Sequence, residues 1–255
     1  MELMIFIVAG GLAGLHHASL RGYKDSLWER FEMIKLIRSL IMGAGVGGLA
    51  WILKLKGVVE WNWASLFMFC LGGEVIAVET YKWFFRIDDQ KKYMIPTYFQ
   101  LAGKVIESRK KRLLIGIGAA GLMAALFKWL FKWQFYSGIM LGLIGGIVTS
   151  SLGSYKDAPF EGFFIKKFWR SWWVDILGGL IMAGLTNNAG VLLVMIWGWD
   201  RMWIELYKCL WLKNEAPGKF KIKKIVYREW LKRRNWLLIP YGLTWVVLIV
   251  GMLLE

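Results

Sequence analysis

Histidine, cysteine and acidic side chains are scarce in this chain. Its 255 residues hold two His, two Cys and 18 Asp+Glu against 33 Lys+Arg, a net charge of +15. Cys70 and Cys209 have no metal-ligand spacing, which argues against a disulfide framework and reads both as small apolar fillers. His16 and His17 are adjacent, and adjacent helical residues point to different faces, so they do not read as a shared metal site. No Ser-His-Asp or Cys-His arrangement can be assembled. No polar stretch is long enough for a separate soluble domain. Met1-Glu2 is not the basic n-region of a cleaved signal peptide, so the first apolar run is expected to be retained.

Apolar residues are abundant: 57% of the chain, with 17 Trp and 29 Gly. Runs of roughly 20 mostly apolar residues recur, the length that spans a bilayer. They predict an all-α polytopic membrane protein with eight spans, at about 3–19, 36–53, 63–81, 113–131, 134–153, 169–185, 188–207 and 236–254. The polar connections 82–112 and 208–235 are expected to carry short interfacial helices. Residues 20–38, 82–112, 155–170 and 207–234 hold 5, 9, 4 and 10 Lys+Arg, which is 28 of the 33. By the positive-inside rule these connections face the cytoplasm and both termini lie outside it, in an inner or plasma membrane. Facing that leaflet, the basic connections suit anionic lipid headgroups rather than nucleic acid. A protein partner or a second copy is a further candidate for the basic face. Trp169, Trp172 and Trp173 beside Arg170 fit an interfacial belt.

The chain reads as two copies of one unit. Ser19 to Ser39 and Ser151 to Ser171 are identical at ten of 21 positions, at a shift of 132. Shared residues include Tyr23-Lys24-Asp25 with Tyr155-Lys156-Asp157, Glu29 with Glu161, and Arg38 with Arg170. Gly10 and Gly14 match Gly142 and Gly146, small-xxx-small pairs that permit close helix approach. Gly72, Glu74, Glu79, Tyr81 and Lys82 match Gly198, Asp200, Glu205, Tyr207 and Lys208 at a shift of 126. Arg109 to Arg112 are similar to Lys232-Arg233-Arg234. The expected domains are 1–132 and 133–255, four spans each, related by a pseudo-twofold axis along the membrane normal. Gly43-x-Gly45-x-Gly47-Gly48 follows no strand and reads as helix packing, not a phosphate loop.

Two groups of residues carry the candidate chemistry. Asp25 with Glu29, and Asp157 with Glu161, are carboxylates at i and i+4, a spacing that can hold Mg²⁺ against a diphosphate. This arrangement resembles the paired acidic motifs of the membrane aromatic prenyltransferases, whose motifs are richer in Asp and usually contain Asn. The resemblance implies a membrane enzyme acting on a lipid or polyprenyl phosphate, with Lys24 and Lys156 on phosphate. The simpler expectation is that Asp25 and Asp157 cap the helices leading into spans two and six, with Pro159 in the first turn. A third reading makes the two loops a latch exchanging ion pairs between the halves. It is similar in arrangement to the repeated charged loop of the major facilitator transporters.

The second group is Glu74, Asp200 and Asp175. Intramembrane carboxylates are costly unless paired or solvated, which marks them as functional candidates. Glu74 and Asp200 hold equivalent places; the counterpart of Asp175 is Gly43. Glu79 with Lys82 and Glu205 with Lys208 read instead as structural ion pairs at i and i+3. The leading expectation is a small transporter or channel-like protein with Glu74 and Asp200 as its intramembrane site. The two Tyr-Lys-Asp loops form its cytoplasmic gate. A lipid-phosphate enzyme and a non-catalytic membrane subunit are the alternatives.

Overall fold

The apolar runs fold as helices. The computed structural model describes residues 2–90, 93, 95–101, 103–133, 137–211 and 225–254, without the side chain of Glu161. Among the described residues the eight long helices are α1 (Glu2–Asp25), α2 (Met33–Leu55), α3 (Trp63–Thr80), α4 (Arg109–Leu130), α5 (Gly138–Glu161), α6 (Ile165–Met182), α7 (Ala189–Leu206) and α8 (Leu238–Leu253). Six stretches of the described residues are long and apolar enough to cross a membrane: α1, α2, Trp63–Phe85, α4, Gly138–Phe160 and Trp230–Leu253. The chain is therefore a multi-pass membrane protein by length and composition. The other two expected spans are helical but more charged. α6 carries Lys166, Lys167, Arg170 and Asp175, and α7 carries Asp200, Arg201 and Glu205.

Two boundary expectations are corrected. Tyr23-Lys24-Asp25 and Tyr155-Lys156-Asp157 are not loops that cap the following helices; they form late turns of α1 and α5. The residues preceding α2 and α6 are Glu32 and Phe164, and neither makes a side-chain cap. Pro159 sits inside the end of α5, where Gly162 with φ of 81° closes the helix. The stretch after α3 continues as a π-helix, Tyr81–Phe85, followed by an antiparallel hairpin of β1 (Gln100–Leu101) and β2 (Lys104–Val105). Gly103 turns that hairpin with φ of 76°. In the second connection, a matching π-helix, Tyr207–Trp211, extends α7, and two short helices, Trp230–Arg233 and Arg234–Leu237, lead into α8; 212–224 lie outside the described residues.

Helix packing is set by glycines. The closest pairings are α1 on α2, α5 on α6 and α3 on α7. A Cβ on Gly10 would strike the carbonyl oxygen of Gly43, and one on Gly14 that of Ser39. In α5, Gly142 and Gly146 meet Asp175 and Ser171 of α6 in the same way. At the centre, Gly72 abuts Val194 and Gly198, while Gly198 abuts Met68 and Gly72, so α3 and α7 cross backbone against backbone. Asn62 and Asn188 start these two helices, each accepting from a backbone N–H three residues on, at 2.8 and 3.1 Å. The core runs through this crossing, with Leu66 to Leu71 against Val191 to Ile196. By contrast α4 buries only Arg112, Gly116 and Leu130 and shows Leu114, Ile117, Leu122 and Trp129 outward.

Candidate functional site

The α3–α7 crossing places acidic groups inside the bundle. Glu74 and Asp200 each stand two residues past the glycine of the contact and are 0% and 3% exposed. Carboxylates so enclosed require partners. Glu74 Oε2 lies 2.5 Å from His17 Nδ1 on α1. Asp200 meets the carboxyl of Asp175 on α6, and Asp175 Oδ2 lies 3.5 Å from Thr149 Oγ1 on α5. A hydrogen bond between two carboxyls needs a proton on one of them. The three intramembrane candidates thus fall into two clusters, Glu74 with His17 and Asp200 with Asp175.

His17, set aside with His16 in the sequence as a metal site, is the partner of Glu74 that sequence reasoning did not assign. The signal for it lay in Thr149, which stands 132 residues later and also presents a hydrogen-bonding side chain to a buried acid. His16 faces elsewhere. Its Nδ1 lies 3.1 Å from Thr244 Oγ1 of α8, and its ring sits among Phe67, Tyr241 and Trp245.

One or two helical turns further on, two charged clusters cross between the halves. Lys24 of α1 donates to Glu205 of α7, which also holds Lys208 at 3.1 Å and Arg201 at 3.6 Å. Glu79 of α3 holds Lys82 at 2.6 Å, Arg21 at 3.5 Å and Lys156 of α5 at 3.5 Å. Each cluster therefore joins a lysine of one half to a glutamate of the other. The i,i+3 pairs expected from the spacing are present in both. Arg38 lies over the Tyr81 ring at 5.1 Å, and Arg170 over Tyr207 at 5.8 Å.

The remaining candidates are dispersed among basic neighbours. Asp25 is 3.6 Å from both Arg21 and Lys24, and Asp157 is 2.8 Å from Lys167. The Tyr23 ring lies 4.3 Å from the Arg234 guanidinium. Glu29 donates its backbone N–H to the Asp25 carbonyl at 2.8 Å. Tyr155 and Lys156 line a small cleft of about 70 Å³ with Trp83, Tyr98, Phe99 and Gln100. Glu161 ends α5, and its side chain lies outside the described parts. Among the described residues, no three His, Cys, Asp or Glu side chains are grouped to hold a metal ion.

Comparisons of the chain with protein-family profiles, with curated proteins and with solved structures found no match.

Proposed function

We propose that the protein is a membrane transporter or channel-like permeation protein of two tandem four-helix units, with an intramembrane acidic site and an ionic gate at its basic, cytoplasmic end. The observation that carries this reading is the pair of cross-half lysine–glutamate contacts, Lys24 with Glu205 and Lys156 with Glu79, lying beyond two enclosed acids. The half-exposed Lys156–Glu79 pair can break and re-form at modest cost, and Glu205 keeps Lys208 and Arg201 when Lys24 leaves it, while the enclosed acids offer a polar stop within an apolar bundle. Matched details support two copies: the Asn62 and Asn188 caps, the two π-helices, and the glycine registers of α1–α2 and α5–α6. Mg²⁺ chemistry at Asp25 and Asp157 is the weaker reading, because both already face lysine or arginine.

Reconstituted in vesicles and challenged with inorganic ions and small polar solutes, the protein should raise permeation above empty vesicles. Glu74→Gln and Asp200→Asn should elute and melt like wild type and lose that permeation. A panel in which wild type never exceeds empty vesicles, or variants that permeate like wild type, overturns the reading. One feature favours a second reading, a subunit docking a membrane partner: the outward apolar face of α4. Site-specific photocrosslinking from Leu122 in native membranes to a defined protein band would favour that reading; labelling of lipid alone would not.

A further inference from the structure

The His17–Glu74 pair has a property that packing does not require. Both side chains are enclosed, at 3% and 0% exposure, yet His17 Nε2 and Glu74 Oε1 have no hydrogen-bond partner among the described residues. With Glu74 ionised, its Oε2 takes the hydrogen bond of the Nδ1 proton, which fixes the tautomer and leaves a lone pair on Nε2. His17 lines a seam with His16, Leu20, Leu71, Arg201 and Glu205. The seam leaves no room for a water molecule. One wall of it is Glu205, the acid that Lys24 holds from α1. His17 of the dyad and Glu205 of the ionic gate therefore line one narrow seam. Charged and titratable groups around His17 are Glu74 from α3, Arg201 and Glu205 from α7, and Arg21 and His16 from its own helix.

We propose that His17 and Glu74 form a proton-loading site, occluded here and opened to the basic end when Glu205 releases Lys24. The inference rests on the transport reading and names its coupling species as the proton. The proton adds to His17 Nε2 while Nδ1 keeps its own, so the imidazolium and the Glu74 carboxylate together become neutral. Unloaded, the pair carries one negative charge, and loaded it carries none. Arg201 of α7 lines the same seam as His17 and lies 3.6 Å from Glu205. Loading thus changes the field at an arginine that already contacts the gate acid. The second half is built differently at this level, with Thr149 in place of His17 and a carboxyl pair in place of the dyad, so loading at an imidazole belongs to the first half alone.

The full chain has two histidines, so histidine-selective ¹⁵N and ¹³C labelling in nanodiscs resolves each ring by magnetic resonance. Wild-type His17 should show the Nδ1-protonated tautomer at pH 9 and convert to imidazolium as the pH is lowered to 4, with His17→Thr identifying its signals. Lys24→Met should accelerate that conversion at least tenfold, and Glu74→Leu, which removes the acceptor, should release the fixed Nδ1 tautomer. A His17 ring that stays neutral from pH 9 to 4 in wild type and in Lys24→Met overturns the proposal, as does a tautomer unchanged in Glu74→Leu. Should Glu74→Leu fail to fold, the wild-type and Lys24→Met titrations decide alone. Titration of His17 in protein that moves no solute overturns the transport reading but not the loading site. A silent His17 in permeating protein does the reverse.

Discussion

Lys24 of α1 and Glu205 of α7 are ion-paired with side chains only 8% and 3% exposed. The two ends of this contact are unequal. Glu205 has Lys208 and Arg201 as further partners, whereas among the described residues Lys24 has beside it only Asp25, at 3.6 Å. Lys156 and Glu79 form the corresponding contact in a more open setting, at 22% and 27% exposure.

Removing the acid should therefore hurt more than removing the base. Glu205→Gln leaves Lys24, Lys208 and Arg201 without their common counter-charge and should cost about 3–5 kcal/mol, the usual penalty for orphaning a buried charge. Lys24→Met leaves Glu205 two cations and should cost roughly half as much, while Lys156→Met should cost about 1 kcal/mol or less. Unfolding in mixed micelles checks the order. Equal losses for Glu205→Gln and Lys156→Met would show that the partners of Glu205 do not set its contribution.

The glycines of α2 divide into two kinds. Gly43 and Gly47 touch the backbone of α1, while Gly45 and Gly48 face open space. Gly43→Ala and Gly47→Ala should sharply reduce folded yield. Gly45→Ala and Gly48→Ala should be tolerated and stabilise the helix by about 0.5–1 kcal/mol each. Melting curves of the four variants test this, and a destabilised Gly45→Ala would contradict the assigned face.

Asn62→Ala should cost about 1 kcal/mol through loss of the α3 cap. Asn188→Ala should cost about 2 kcal/mol, because its Nδ2 also donates to the Phe131 carbonyl, at 2.8 Å, and so ties α7 to the end of α4. Similar losses for the two variants would mean that this second bond contributes little.

Orientation is open to a direct test. In a Cys70→Ser, Cys209→Ser background, cysteines placed at Glu60 and Asn187 should react with an impermeant thiol reagent added outside. Cysteines at Asp89 and Glu215 should not; the first three sites lie on described parts of the chain, the last outside them. Reversed labelling would put the lysine–glutamate gate on the outer side.

Helix number and approximate limits were legible in the sequence because each apolar run is long and its ends carry charge. The ends themselves were less so. Tyr23-Lys24-Asp25 reads as a loop by polarity, but α1 carries it as a last turn because Lys24 finds Glu205 on a distant helix. No local pattern reports a partner 181 residues away. Glu74 and Asp200 stood out because acids are rare in apolar runs. Their partners did not, since a histidine on α1 and a carboxylate on α6 become neighbours only when four helices pack. The glycine spacing of α1 and α5 foretold close approach, though not that α3 and α7 would make the central one.

At that crossing no side chain separates Gly72 from Gly198. Helices held apart by flexible side chains can slide; backbones in direct contact can only pivot about the point where they touch. The contact is in that sense a fulcrum, and the two ends of the bundle are its lever arms. Glu79 and Glu205 lie seven residues beyond it, about 10 Å at 1.5 Å per residue, so a rocking motion of roughly 10° shifts them by about 2 Å. That is enough to part an ion pair at one end while the opposite end closes by a similar amount. Spin labels at Phe85 and Trp211, at the basic ends of the two arms, should thus move apart as labels at Glu60 and Asn187 approach, whereas sliding would displace both pairs alike.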